Sequence, residues 1–327
     1  MQLPLSVLDL SPVGSQSTPS QAIRDSLELA RTADRLGYTR YWIAEHHNMA
    51  SIATSAPEVM IASIAAVTER IRVGAGGIMI PNHTPLRVVE IFRTLEALHP
   101  GRIDLGLGRA PGTDQQTLGR ALRRDPRAAE NFPQDVQELQ AWLSDTSPLP
   151  GVTAVPGFNT NVPLIILGSS MFGASLAAQL GLPYAFASHF APQHLEQATA
   201  YYRDNYQPSE NHPEPYCIAA VNVTAADTEE DAKRQTTVVH RNRVRAFMGR
   251  QGKQLSDDQL DTVVNSYQGR QITDMLRYTA EGTGEQVAEY LENFRATAQA
   301  DELMISLQAG SHEETGRSME ILAEVWN

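Results

Sequence analysis

Short apolar runs alternate along this chain with longer amphipathic stretches, beginning with a strand-like run and ending with a helix-like one. The first run is Leu5 to Asp9. Thr18-Pro19-Ser20-Gln21 follows, a capping-box pattern with proline at the first helical position. It predicts a helix that stops at Gly37 and carries Ile23, Leu27, Ala30 and Leu36 roughly along one stripe. Further strands are predicted at Arg40 to Ala44, Ile71 to Ala75, Arg102 to Leu107, Leu164 to Leu167, Tyr184 to Ala187, Tyr216 to Val223 and Leu303 to Leu307. Helices fill the gaps, and His99-Pro100-Gly101 marks a break. Residues 145–162, rich in Pro, Gly, Thr and Asn, read as a loop. A long polar, helix-like stretch covers roughly 227–280. Thr283-Gly284-Glu285-Gln286 opens the next helix, and Ser311-His312-Glu313-Glu314 caps the last, which runs to Asn327.

Eight strand–helix units in that order predict a (β/α)8 TIM barrel, one domain over residues 1–327 with a long insertion after strand seven. A doubly wound open sheet is the competitor, and its phosphate signature belongs after the first strand. The residues there, Leu10-Ser11-Pro12-Val13-Gly14, form no such loop. Gly106-Leu107-Gly108-Arg109-Ala110-Pro111-Gly112 resembles one but has the wrong spacing and lies in the fourth unit.

One helix departs from the amphipathic rule. Val59 to Val67 is apolar nearly all round, so its outer face needs cover, and a homodimer is the expected source. The net charge of −12 argues against a nucleic-acid or anionic-membrane surface. The lone Cys217 leaves no intrachain disulfide and no cysteine-based metal cluster. The stretch Met1-Gln2-Leu3-Pro4-Leu5-Ser6-Val7 lacks the basic and apolar regions of a signal peptide, and the expected location is cytoplasmic.

In a barrel the site lies where the strands end. Strand two ends in Glu45-His46-His47, strand three in Gly76-Gly77-Ile78-Met79-Ile80-Pro81-Asn82, and strand four at Arg109. Strand five ends at Gly168-Ser169-Ser170, and strand six at Ser188-His189. A guanidinium fork matches a phosphate, and Ser169 and Ser170 lead into a helix whose free N–H groups attract an anion. Those features also suit a capping serine and a surface ion pair. His46 and His47 could ligate a metal, but adjacent residues on a strand face opposite ways and the chain offers no clear carboxylate set. One histidine facing the core and one hydrogen-bonded is the structural alternative; proton transfer at His46 is the catalytic one. The glycines Gly74, Gly76 and Gly77 imply a close backbone approach or a turn.

Four stretches carry a resemblance over nearly the whole chain: Trp42 to His47; Val73 to Pro81; Gly101 to Arg109; and Leu167 to Ser170, continuing through Ala177 to Pro183. In that order and on those strand ends they resemble the bacterial luciferase-like flavin monooxygenases. The resemblance implies a barrel that binds FMN, used as reduced FMN obtained from a separate reductase. Oxygen then adds at flavin C4a, and the peroxide attacks a small organic substrate. By position, Arg109, Ser169 and Ser170, with the backbone N–H near Gly173, match the phosphate-binding residues. Gly76-Gly77 matches the segment under the isoalloxazine, where the family often has a non-proline cis peptide, and His46 matches the catalytic histidine. Gly108 stands where luciferase has a reactive cysteine, so light emission is not expected. A deazaflavin-dependent dehydrogenase and a non-catalytic flavin-binding protein are the alternatives on the same fold.

Overall fold

The computed structural model describes residues 3–14, 17–144, 147–156, 160–248 and 255–326. Eight parallel strands close into a barrel: β1 (Leu5–Asp9), β2 (Arg40–Ile43), β3 (Arg72–Met79), β4 (Ile103–Gly108), β5 (Leu164–Gly168), β6 (Tyr184–Phe186), β7 (Cys217–Ala225) and β9 (Glu302–Leu307). Closure comes from β9, which pairs with both β1 and β7. A further short strand, β8 (Thr279–Gly282), pairs with β7 outside the barrel. It lies at the end of the stretch expected to be helical. Its cause is the length mismatch between β6 and β7. The three residues of β6 cover only Cys217 to Ala219, and β8 takes the vacated edge at Asn222 to Ala225.

Helices α1 (Pro19–Leu36), α2 (Pro57–Ala66), α3 (Pro85–Leu98), α4 (Phe132–Leu143), α5 (Met171–Leu180), α6 (Leu195–Asp204), α10 (Gly284–Ala298) and α11 (His312–Trp326) surround the barrel. Thr18 accepts from the Gln21 N–H at 3.2 Å, Gln286 from the Thr283 N–H at 2.9 Å and Ser311 from the Glu314 N–H at 3.2 Å, so all three expected caps form. The main core lies between the outer strand faces and these helices, with Tyr41, Ile43, Val73, Leu105 and Ile305 fully buried.

Alternation along the strands sends a second set of residues into the barrel. Its N-terminal end is plugged by charge. Arg40 donates to Glu302 at 3.0 Å and to Asp104 at 2.8 Å, while Arg72 holds the other Asp104 oxygen at 2.6 Å. Above this plug sits an apolar layer of Leu8, Trp42, Ile165, Ile218 and Met304. The Trp42 indole N–H donates to Asp104 at 3.1 Å and so joins the two layers. The barrel is therefore solid below, and its C-terminal end remains for a ligand.

Helix α2 corrects an expectation. Ile61 and Ile64 are fully buried against the chain's own barrel. The outward face is Val59, Ala62, Ser63 and Ala66, one helical stripe of small residues with Val59 60% exposed. The helix is one-sided after all, and its small outer residues hid that in the sequence.

The insertion after β7 contains α7 (Glu229–Met248), α8 (Asp257–Val264) and α9 (Tyr267–Thr273). These helices share their own small core of Val244, Leu260 and Ile272. Residues 249–254, within this stretch, lie outside the described residues, as do parts of the 145–162 loop and Asn327.

Candidate active site

Strand β2 ends at Ile43, and the next residues leave it held by backbone bonds. The Ala44 N–H donates to the Asp9 carbonyl, the His46 N–H to Thr54, and the His47 N–H to Gly112. This fixes Glu45 under the loops, with no exposed surface. Its carboxylate accepts from the Met79 N–H at 2.8 Å, from Asn82 Nδ2 at 3.0 Å, and from His47 Nε2 at 2.8 Å and His83 Nε2 at 2.9 Å. Burial alone would raise its pKa, but the hydrogen bonds from His47 and His83, the His83 charge and Asn82 outweigh that and hold Glu45 at about 2. The same contact with Glu45 raises the pKa of His47 against its burial. Glu45 is thus a permanent anion that ties the segment after β2 to the end of β3 and the loop that follows it. His83 and Asn82 as its partners were not read from the sequence. The signal was an acid inside an apolar strand end, which needs donors from the adjoining loops.

His46 takes no part in that network, so the two neighbouring histidines do face different ways. Its Nδ1 is buried without a hydrogen bond. Burial lowers its pKa, the Glu45 charge opposes this, and His47 adds to the lowering. His189, at the end of β6, is 8% exposed, and its Nδ1 also lacks a partner. Burial first, then the charges of Arg243 and His46, push its pKa down to about 3. His189 is thus within electrostatic reach of both Arg243 and His46. Asn222 on β7 secures this corner by donating to the His189 carbonyl at 2.7 Å, and Phe190 packs edge-on to the imidazole with centroids 4.9 Å apart. Arg243, carried by α7, was not identified from sequence, because nothing in a polar helix marks one arginine among several.

Arg109, Ser169 and Ser170, the residues expected to hold a phosphate, lie at the ends of β4 and β5. The Arg109 guanidinium lies 4.2 Å from the Phe172 ring centroid, over the first turn of α5. Among the described residues it pairs with no carboxylate. Ser170 is the N-cap of α5, but its hydroxyl makes no capping bond. The hydroxyl is left unused beside a set of free N–H groups. Ser169 precedes it in the β5–α5 turn. Gly168 and Gly173 let this turn fold tightly: a Cβ on Gly173 would sit 3.2 Å from the Gly168 Cα. The two structural alternatives, a serine cap and a surface ion pair, are not what the residues do.

The Gly76-Gly77 peptide is cis, at a register shift between β3 and β4. Packing accounts for both glycines. A Cβ on Gly76 would meet Leu8 at 2.8 Å and Trp42 at 3.1 Å, and one on Gly77 would lie 2.6 Å from the Gly106 carbonyl oxygen.

Comparison with known proteins agrees with this architecture. Residues 3–302 match the family described as luciferase-like monooxygenase. A luciferase-like monooxygenase of Escherichia coli (strain K12) is 42% identical over 321 residues, covering 98% of this chain and 96% of its own. The solved structure of apo-MsnO8 is 35% identical with a TM-score of 0.88, covering 99% of this chain and 98% of its own. A more remote structure is the oxygenating constituent of 3,6-diketocamphane monooxygenase from Pseudomonas putida, in complex with FMN. It is 14% identical with a TM-score of 0.74, covers 99% of this chain and 97% of its own, and so shares the fold. On the strength of the matched span and of a barrel whose strand ends carry these groups, the chain belongs to the luciferase-like monooxygenase family.

Proposed function

We propose that this protein is an FMN-dependent monooxygenase that receives reduced FMN from a separate reductase and uses O2 to oxygenate a small organic substrate. The observation that carries the reading is Arg109, an exposed guanidinium without an ion-pair partner among the described residues, beside the uncapped N-terminus of α5. Fixed cationic and N–H donors of this kind suit a phosphate dianion. The fold match to an FMN complex points the same way. When bound, reduced flavin supplies the electrons that activate dioxygen.

The chain's own groups divide the remaining work. Arg109, Ser169, Ser170 and the N–H near Gly173 hold the phosphate, and Gly76-Gly77 supports the ring. His46, kept neutral near pH 7 by burial, accepts and returns a proton at an imidazole nitrogen. Glu45 holds the loop that aims it. Helices α7 to α9 form a lid that excludes water. A homodimer formed through the outer stripe of α2 and a cytoplasmic location complete the proposal; no helix among the described residues is long and apolar enough to cross a membrane.

The test uses photoreduced FMN mixed with aerated buffer in a stopped-flow instrument. The protein should delay the return of oxidised-flavin absorbance. Arg109→Ala should weaken FMN binding about tenfold or more, since a charge-assisted hydrogen bond is worth roughly 1.5–3 kcal/mol. Tight binding of a deazaflavin, with the FMN trace unaltered, would favour the dehydrogenase instead. FMN binding without any delay would favour the storage protein.

A further inference from the structure

Helix α7 carries three arginines at alternate positions, Arg241, Arg243 and Arg245. At 100° per residue, the first and last share a face and the middle one points the other way. The outer pair is spent on the lid itself. Arg241 grips Asp261 at 2.6 Å and reaches Asp257 at 3.4 Å, and Arg245 reaches Asp257 at 3.2 Å. Val244, one turn from Arg241, packs into the lid core. That face belongs to α8 and α9. Arg243 is turned toward the barrel, where its charge acts on His189 at the end of β6. Among the described residues it forms no ion pair and no hydrogen bond. Burial lowers its pKa and no carboxylate opposes the effect.

A partly buried guanidinium without a counter-charge is costly, above all in a chain with 38 acidic residues to choose from. Glu45, the permanent anion described above, is already committed to four donors. Within reach of the Arg243 charge is His189, which in turn neighbours His46, and each imidazole has a buried Nδ1 without a hydrogen bond. His189, with a pKa of about 3, is neutral at physiological pH and cannot serve as a counter-ion. The phosphate of the proposed cofactor is taken up elsewhere, by Arg109 at the start of α5.

We propose that Arg243 recognises an anionic group, a carboxylate or a sulfonate, on the substrate, and that this contact, made from α7 beside His189, sets the substrate class as small organic acids. The inference rests on the flavin reading only for the word substrate. The anion site itself can be tested with no flavin present.

Hexanoate, hexane-1-sulfonate and the neutral hexan-1-ol serve as probes, titrated into the protein by calorimetry with and without FMN. The wild-type protein should bind at least one anion about tenfold or more tightly than the alcohol, the increment of one charge-assisted contact. Arg243→Gln should bring acid and alcohol to parity while leaving FMN affinity unchanged, and Arg243→Lys should keep part of the preference. Preference for hexanoate or for the sulfonate identifies which acid the site fits. Equal binding of acids and alcohol by the wild type would overturn the proposal. So would an anion preference that survives Arg243→Gln. Loss of FMN affinity in Arg243→Gln would overturn it too, by assigning the residue to the flavin. Anion binding that persists while FMN fails to bind would instead reject the flavin reading and leave this one standing.

Discussion

Replacing Glu45 by Gln removes one charge and keeps the shape. The carboxylate receives four donors from two segments, and its pKa falls from 4.5 to about 2 on folding. A displacement of that size corresponds to about 3 kcal/mol of stability. The folded value lies below the unfolded one. The contribution is therefore complete above about pH 4.5 and disappears as pH falls toward 2, with about 1.5 kcal/mol left at pH 3. Glutamine offers one acceptor oxygen, and its NH2 group meets donors head-on. The Met79 N–H and one imidazole then lose their partner. Urea unfolding of both proteins should show a gap of about 3 kcal/mol at pH 7 that shrinks to about half at pH 3. His47 supplies an independent reading. Its pKa is raised by Glu45, so its stabilisation is present below 6.5 and is lost as pH rises through the folded value. In Glu45→Gln the imidazole should titrate lower, as followed by NMR. A gap of equal size at pH 7 and pH 3 would refute the reasoning and show that only the shape of Glu45 matters.

His46→Ala should cut single-turnover oxygenation by about 10²- to 10⁴-fold with reduced FMN still bound, and unchanged chemistry would shift the role to His189. Gly77→Ala should destabilise the fold by about 1–3 kcal/mol in urea melts, because the new Cβ would meet backbone and not a movable side chain. If the proposed dimer forms through α2, Val59→Glu with Ala66→Glu should abolish it in sedimentation without unfolding the chain. Ile61→Lys with Ile64→Lys, both buried in the protomer, should instead abolish folding.

The barrel was legible because its strands carry continuous apolar runs and its helices carry stripes and caps. Thr18 and Thr283 announced helices that form as read. Strand β8 was not legible. Thr279-Ala280-Glu281-Gly282 has no apolar run of its own and becomes a strand only because β6 stops short. The proposed cradle at Arg109 and Ser170 rests on residue type and place in the strand order. The roles of His83 and Arg243 were not legible, since each depends on a neighbour more than thirty residues away in sequence.

The stitch between β7 and β8 also bears on how such a protein can diversify. The Asn222 N–H donates to the Tyr278 carbonyl at 3.0 Å, and the Ala226 N–H to the Gly282 carbonyl at 3.0 Å. The chain thus leaves the barrel and returns to it at adjacent backbone positions. A segment whose ends already touch can be lengthened, shortened or exchanged at little cost in loop-closure entropy. Everything proposed to hold the flavin phosphate, together with Glu45 and His46, lies outside that segment, whereas Arg243 lies within it. The insertion is a cassette, and grafting another one onto the same barrel would change what is recognised while sparing the machinery beneath.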